Sequence, residues 1–246
     1  MSLLSRKEAA GKVMVALDKP DAKAAAELAD RLQGSGCWMK VGMELFYTAG
    51  PSIVRELKSK GFRIFLDLKM HDIPNTVRGG ARSITRLGVD LFNVHAAGGS
   101  AMMAAAAEGV RDAMEAGDAE QAPFIIAVTQ LTSTSQDVLN AEIGIAGKLE
   151  DAVVHYAKLA QSAGLQGVVA SPLEVPAIKA ACGNGFITVT PGIRPRGADV
   201  GDQIRITTPR DAVEGGTDYL VIGRPITAAS SPQDALEHIL KEMTES

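Results

Sequence analysis

Asp67, Lys69 and Asp72 lie close together in the run FRIFLDLKMHDIPNTV, and their types and spacing suit work on a negatively charged centre. The stretch before them reads as a strand, so Asp67 and Lys69, two residues apart, are expected to project to the same side. An ammonium beside a carboxylate is held as a cation. At an effective dielectric of about 20, such a contact at about 4 Å is worth about 4 kcal/mol before desolvation. A lysine kept charged is a poor nucleophile, but it stabilises developing negative charge and can donate a proton. Asp72 comes beyond the strand and need not share that surface. Pro74 disfavours a helical Ile73, which makes Asn75 the expected N-cap of the helix that follows. An isolated D-x-K would read as an ion pair on a loop; the longer pattern D-x-K-x-x-D-I-P-N-T points to function.

Such a cluster needs a frame that brings strand ends to one place. Short runs rich in β-branched residues alternate along the chain with Ala/Leu/Glu/Lys-rich stretches that end in glycine. Strands are expected at Lys12–Leu17, Cys37–Val41, Arg63–Leu68, Leu91–His95, Phe124–Thr129, Gly167–Ala170, Phe186–Thr190 and Tyr219–Ile222. Most are continuously apolar, as strands covered on both faces are. Helices are expected at Ala22–Leu32, Ser52–Lys60, Asn75–Leu87, Ser100–Ala116, Lys148–Ala163, Pro172–Ala181, Arg210–Glu214 and Pro232–Lys241. Gly34, Gly61, Gly88, Gly117, Gly164 and Gly183 fall at helix C′ positions, and Pro51 and Pro172 at helix starts. Eight β/α units in a chain of 246 residues predict a closed (β/α)8 barrel, an α/β TIM barrel forming one domain over residues 1–246. A doubly wound open sheet is the rival, but no glycine-rich dinucleotide fingerprint follows the first strand. Two connections break the repeat, Gln130–Gly147 after the fifth strand and Pro191–Asp202 after the seventh. Both are expected at the C-terminal mouth, where barrel active sites are built, and their length suggests lids.

Composition narrows the classes further. The chain has 25 Lys and Arg against 29 Asp and Glu, a formal charge of −4, and a pI near 5.6. That balance lacks the basic surplus of a general nucleic-acid binder. Hydrophobic residues make up 46% and aromatics 4%, which suits an aliphatic core of helices packed on a parallel sheet. Cys37 and Cys182 form no ligand or disulfide pattern, consistent with a reducing compartment. The N-terminal MSLLSRKEAAGK lacks the apolar region of a signal peptide, and no apolar run approaches about 20 residues. A soluble, cytoplasmic protein with no membrane partner is therefore expected. His71, His95, His155 and His238 show no metal-triad spacing; His95 is expected to be structural, and His155 and His238 to lie at the surface.

Further candidates sit near strand ends and in the long connections. Asp18 ends the first strand, Lys40 lies near the end of the second, and Thr132 falls in QLTSTS. PGIRPRGADVGDQ carries Arg194, Arg196 and Gln203 as donors, and Gly223 and Arg224 follow the eighth strand. Loops after the seventh and eighth strands are a recurrent phosphate site of barrels, where an arginine can make bidentate bonds.

The segment DLKMHDIPNTV is similar to the signature of the orotidine 5′-monophosphate decarboxylase family, and the likeness runs from VALDKP to IGRPI, nearly the whole chain. The resemblance implies a homodimeric lyase without metal or cofactor. Its reaction would convert orotidine 5′-monophosphate to uridine 5′-monophosphate and CO2, the last step of de novo pyrimidine (UMP) biosynthesis. By the same resemblance, Lys69 stabilises a carbanion-like transition state and protonates C6. Asp67 faces the substrate carboxylate, either repelling it or ordering Lys69. Asp72 and Thr76 enter from the neighbouring subunit. Asp18 and Lys40 would hold the ribose hydroxyls and Thr132 the pyrimidine. Ile73, Arg194, Gln203, Gly223 and Arg224 would complete the substrate-binding set, while Arg196 receives no assignment.

Three other readings compete. Magnesium-dependent relatives such as 3-keto-L-gulonate 6-phosphate decarboxylase and hexulose-phosphate synthase share the D-x-K-x-x-D pattern. They place a metal-binding carboxylate where Lys40 stands here, and a lysine would repel the metal. A Schiff-base aldolase using Lys69 needs a neutral amine, which flanking carboxylates oppose. A non-catalytic phosphate-binding barrel would not need the charge array.

Overall fold

The computed structural model describes residues 4–196 and 207–245. In chain order its elements are α1 (Arg6–Lys12), β1 (Val13–Ala16), α2 (Ala22–Leu32), β2 (Trp38–Gly42), α3 (Met43–Ala49), α4 (Ser52–Ser59), β3 (Arg63–Met70), α5 (Pro74–Arg86), β4 (Leu91–His95) and α6 (Gly99–Glu115). They continue with β5 (Phe124–Val128), α7 (Leu149–Ser162), β6 (Gly167–Val169), α8 (Val175–Cys182), β7 (Ile187–Thr190), α9 (Pro209–Glu214), β8 (Tyr219–Ile222), α10 (Arg224–Thr227) and α11 (Pro232–Thr244). The eight strands pair in sequence order, all parallel, and β1 closes on β8, so the sheet is the expected (β/α)8 barrel. Among the described residues no helix is long and apolar enough to cross a membrane.

Alternation along each strand divides the core. One parity points outward against the helices, as Val15, Met39, Ile64, Leu66 and Phe92 do. The other fills the barrel, where Met14, Trp38, Phe65, Leu91, Ile126 and Val189 pack together. The Arg63 guanidinium lies 4.5 Å from the Trp38 ring centre at the N-terminal end of the strands, a cation–π contact that covers the bottom layer. Interior positions closer to the C-terminal end are Ala16, Lys40, Asp67, Val128, Val169 and Val221. Small and charged residues replace bulky ones there, which leaves space at the mouth.

A repeated polar device fixes the opposite end. Asp90, Gln166 and Asp218 each precede an even-numbered strand and bond back to the strand before it. Their side chains accept from the backbone N–H groups of Ile64 (2.7 Å), Ile125 (2.8 Å) and Thr188 (2.8 Å). Asp90 and Asp218 also take Lys58 (2.9 Å) and Lys179 (2.6 Å) as counter-ions. Each carboxylate thus satisfies a strand-start N–H that the ladder leaves open.

Several boundaries differ from the sequence reading. The first strand starts at Val13, because a capping box between Ser5 and Glu8 starts α1 and carries it through Lys12. The helices α1, α3 and α10 lack the length that makes periodicity visible. The N-cap of α5 is Ile73, not Asn75: Pro74 fits the first helical position, where no N–H is needed, and draws Asn75 inside the first turn. All six glycines expected after helices have positive φ, from 71° to 88°. The connection expected as a lid after β5 is braced. A π-helical turn at Val138–Glu142 buries Leu139, while the Gln136 amide donates to Gly147 (2.9 Å) and accepts from the Leu149 N–H (2.9 Å). Of the other long connection, only residues up to Arg196 fall within the described part.

Asp90→Ala is expected to lower unfolding free energy by about 1.5–3 kcal/mol, the worth of hydrogen bonds involving a charged group. Urea unfolding measures this, and turnover per folded molecule should stay unchanged because Asp90 sits at the far end of the barrel from the mouth.

Candidate active site

A cavity of about 420 Å³ opens at the C-terminal ends of the strands. Its floor is apolar, made by Ala16, Phe65, Val128, Val169 and Val221. Its charged lining is Asp18, Lys40, Asp67, Lys69, Arg194 and Arg224, with Thr132 and Gly223 also on the wall. An apolar floor with polar groups around it suits a ring carrying charged substituents. A second depression, of about 240 Å³, lies at the barrel's other end; there Lys58 and Arg86 are already paired with Asp90 and Asp118.

Asp67 is the centre of the charged set. Its Oδ1 accepts from Lys69 Nζ at 2.7 Å and from Asn93 Nδ2 at 2.7 Å, and its Oδ2 faces Lys40 Nζ at 3.4 Å. Lys40 Nζ also reaches Asp18 Oδ1 at 3.2 Å. Burial pushes the Asp67 carboxyl up, but the Lys40 and Lys69 charges and the hydrogen bonds from Lys69 and Asn93 prevail and hold it below the usual carboxylate range. The arrangement keeps an anion between two ammonium groups, one of them at the cavity edge.

Same-side projection in a regular strand does not account for the Lys69 position. β3 and β4 run in register as far as Leu66↔Phe92, and the next pair is Met70↔Val94. Two extra residues therefore sit on β3, and Lys69 has φ 52°, the only positive φ at a non-glycine among the described residues. A left-handed non-glycine costs about 1–2 kcal/mol. The Lys69 N–H donates to Asn93 Oδ1 at 2.8 Å, so a side-chain amide takes the place of a ladder bond.

The structure brings together Asp18, Lys40, Asp67, Lys69, Thr132, Arg194, Gly223 and Arg224. Asp72, Ile73 and Thr76 do not line this cavity. Asp72 is exposed and accepts from the Ile73 N–H at 2.6 Å, Ile73 is 67% exposed, and Thr76 is exposed in the first turn of α5. Gln203 lies outside the described residues. His95 is half-buried with its ring 5.6 Å from that of His71; burial, reinforced by the charges of His71 and Lys69, pushes its pKa down. His155 and His238 are exposed.

Asn93, buried behind Asp67, is not among the sequence candidates, and neither are Gln130 and Ser133, which line the cavity. For Asn93 a signal existed. An amide amid the apolar run LFNVH, with the inward parity of Leu91, must find partners inside the barrel.

A parallel barrel with a charged array and two arginines at its mouth has the chemistry to receive a small anionic ligand at the strand ends. Residues 11–239 match the model of the "Orotidine 5'-phosphate decarboxylase / HUMPS family". The chain belongs to that family. It is 53% identical over 238 residues to an orotidine 5'-phosphate decarboxylase of Moorella thermoacetica, covering 97% of this chain and 94% of that one. To one of Bacillus mycoides it is 51% identical over 230 residues, covering 94% and 96%. The crystal structure of orotidine 5'-phosphate decarboxylase from Lactobacillus acidophilus superposes with a TM-score of 0.84 at 42% identity, covering 95% of this chain and 99% of that one.

Because folding depresses the Asp67 pKa, the unfolded chain takes up this proton first as pH falls. The stabilisation is complete above the ordinary aspartate value of about 3.9 and is lost as pH drops through the lower folded value. Asp67→Asn is expected to destabilise by up to roughly 3–5 kcal/mol near neutrality, since it leaves two ammonium groups without their shared anion. In thermal unfolding, its deficit against the parent should shrink as pH falls from about 3.9 toward the lower folded Asp67 value, and be gone below that value.

Proposed function

We propose that this chain decarboxylates orotidine 5′-monophosphate to uridine 5′-monophosphate, with Lys69 as the proton donor. The observation that carries the proposal is the Asp67 carboxylate shared between Lys40 and Lys69 at the edge of a cavity with an apolar floor. The pyrimidine ring lies on that floor, with its C6 carboxylate directed at the charged array. The C6–carboxylate bond breaks, CO2 leaves, and the electron pair stays on C6. The Lys69 ammonium stabilises that charge and transfers one proton to C6, and solvent restores the proton to the lysine. Asp67 orders Lys69 through their 2.7 Å bond and also sets a negative charge against the substrate carboxylate. Asp18 and Lys40 hold the ribose hydroxyls, and Thr132 contacts the pyrimidine. Arg194, Gly223, Arg224 and Gln203 bind the phosphate end, whose binding energy supports assembly of the reacting geometry.

Lys40 favours this reading over the magnesium-dependent one. Its ammonium lies between Asp18 and Asp67, supplying positive charge where a divalent cation would need carboxylates. Activity in EDTA is the expected outcome; loss in EDTA with recovery on adding magnesium would favour the relatives that use the metal.

The functional unit is a homodimer in which Asp72 and Thr76 complete the partner's site. Their exposure supports this, as do the exposed Met43 and Tyr47 on the preceding β/α unit, which add apolar surface at the same end of the barrel. Lys69→Ala is expected to cut kcat by at least about 10³-fold. Mixing Lys69→Ala with Asp72→Ala and allowing subunit exchange should restore activity, because each heterodimer regains a site with both residues intact. No recovery despite demonstrated exchange would refute the shared site.

A further inference from the structure

Asn93 has no part in the chemistry proposed so far, yet it is 1% exposed and both ends of its amide are engaged with the charged array. Its Oδ1 accepts from the Lys69 backbone N–H at 2.8 Å, and its Nδ2 donates to Asp67 Oδ1 at 2.7 Å. The partners fix the amide orientation, since a carboxylate only accepts and an N–H only donates. Asn93 sits opposite the break in the β3–β4 ladder, where β3 carries two extra residues. On its other side, β4 pairs with β5 without interruption from Leu91↔Phe124 to His95↔Val128. The residue is thus mounted on a regular ladder and reaches across an irregular one.

We infer that Asn93 is the positioning residue of this site, a side-chain amide that replaces the missing rung and locks the Lys69 backbone and the Asp67 carboxylate in one relative geometry. The Lys69 side chain turns back to Asp67, and Asn93, bound to the backbone of one and the carboxylate of the other, fixes that relation from the strand side. A leucine or valine would fill the space but leave the Lys69 N–H and a carboxylate lone pair unpaired inside the barrel. A carboxylate would accept from the N–H but face Asp67 with like charge. The inference rests on the proposed decarboxylation and adds a residue to it.

Its test uses the full-length protein with Asn93→Ala and Asn93→Asp. Asn93→Ala should lower kcat by about 10²-fold, the cost of a displacement of about 1 Å in a reacting group, with KM changed far less. Asn93→Asp gives a signature that a purely structural residue would not. Burial and the neighbouring carboxylate raise the pKa of an aspartate at this position. Once protonated, that aspartate imitates the amide, its O–H donating to Asp67 and its C=O accepting from Lys69. The kcat of Asn93→Asp relative to the parent should therefore rise as pH is lowered from about 8 to about 5, while the Asn93→Ala ratio stays flat. Calorimetry gives the folded fraction of each variant. Losses that merely follow that fraction, or an Asn93→Asp ratio independent of pH, would overturn the inference. A parent chain inactive on orotidine 5′-monophosphate removes the functional reading beneath it, and the inference with it.

Discussion

Asp67 is a carboxylate placed where a barrel ordinarily keeps apolar side chains, and the rest of the site follows from how that charge is tolerated. An isolated anion at such a depth would take up a proton, because burial penalises its charged form. Two ammonium groups and one amide prevent this, and each must come from a different strand position. Lys40 comes from β2, Lys69 from the end of β3 and Asn93 from β4, so three consecutive strands must stay in fixed register for the anion to persist. The parallel closed sheet provides that register, and the carboxylate and amide side chains at the far end help to hold it.

The same constraint explains an irregularity inside an otherwise regular barrel. A straight β3 would continue its ladder with β4 past Leu66, whereas the two extra residues place Lys69 in a left-handed turn. Backbone strain of this kind persists only where the surroundings over-determine it, and here the surroundings are the Asn93 amide and the Asp67 carboxylate. The site therefore combines a rigid part carried on strands with a rim of loops and arginines that meets the remainder of a ligand. Thr132 stands on a loop braced by Gln136 and by the buried Leu139, so the rim after β5 is also held in place.

Much of this was legible in the sequence, for identifiable reasons. Continuous apolar runs and glycines after helices follow directly from strands buried on both faces and from left-handed helix ends, so the eight-fold alternation could be read. Asp67, Lys69, Lys40 and Asp18 were visible as charges at the ends of apolar runs, and the cavity gathers all four. The short helices α1, α3 and α10 were not, because each adjoins a strand within one residue and is too short to show a period of its own. Asn75 has the side chain of an N-cap, but the first-turn preference of Pro74 moves the cap back to Ile73. The break in β3 was invisible, since strand parity assumes a regular ladder. Asn93 was missed with it, as its role exists only where that ladder fails.

The central claim is that Asp67 remains an anion in the free protein because Lys40, Lys69 and Asn93 hold it so. The most direct measurement is a 13C NMR titration of protein labelled at the aspartate carboxyl carbons, with Asp67→Asn identifying the Asp67 resonance. An anion held in this way keeps that resonance at its ionised position from neutral pH down past about pH 4, the ordinary range of aspartate. A protonation step for Asp67 between about pH 5 and pH 7 would contradict it.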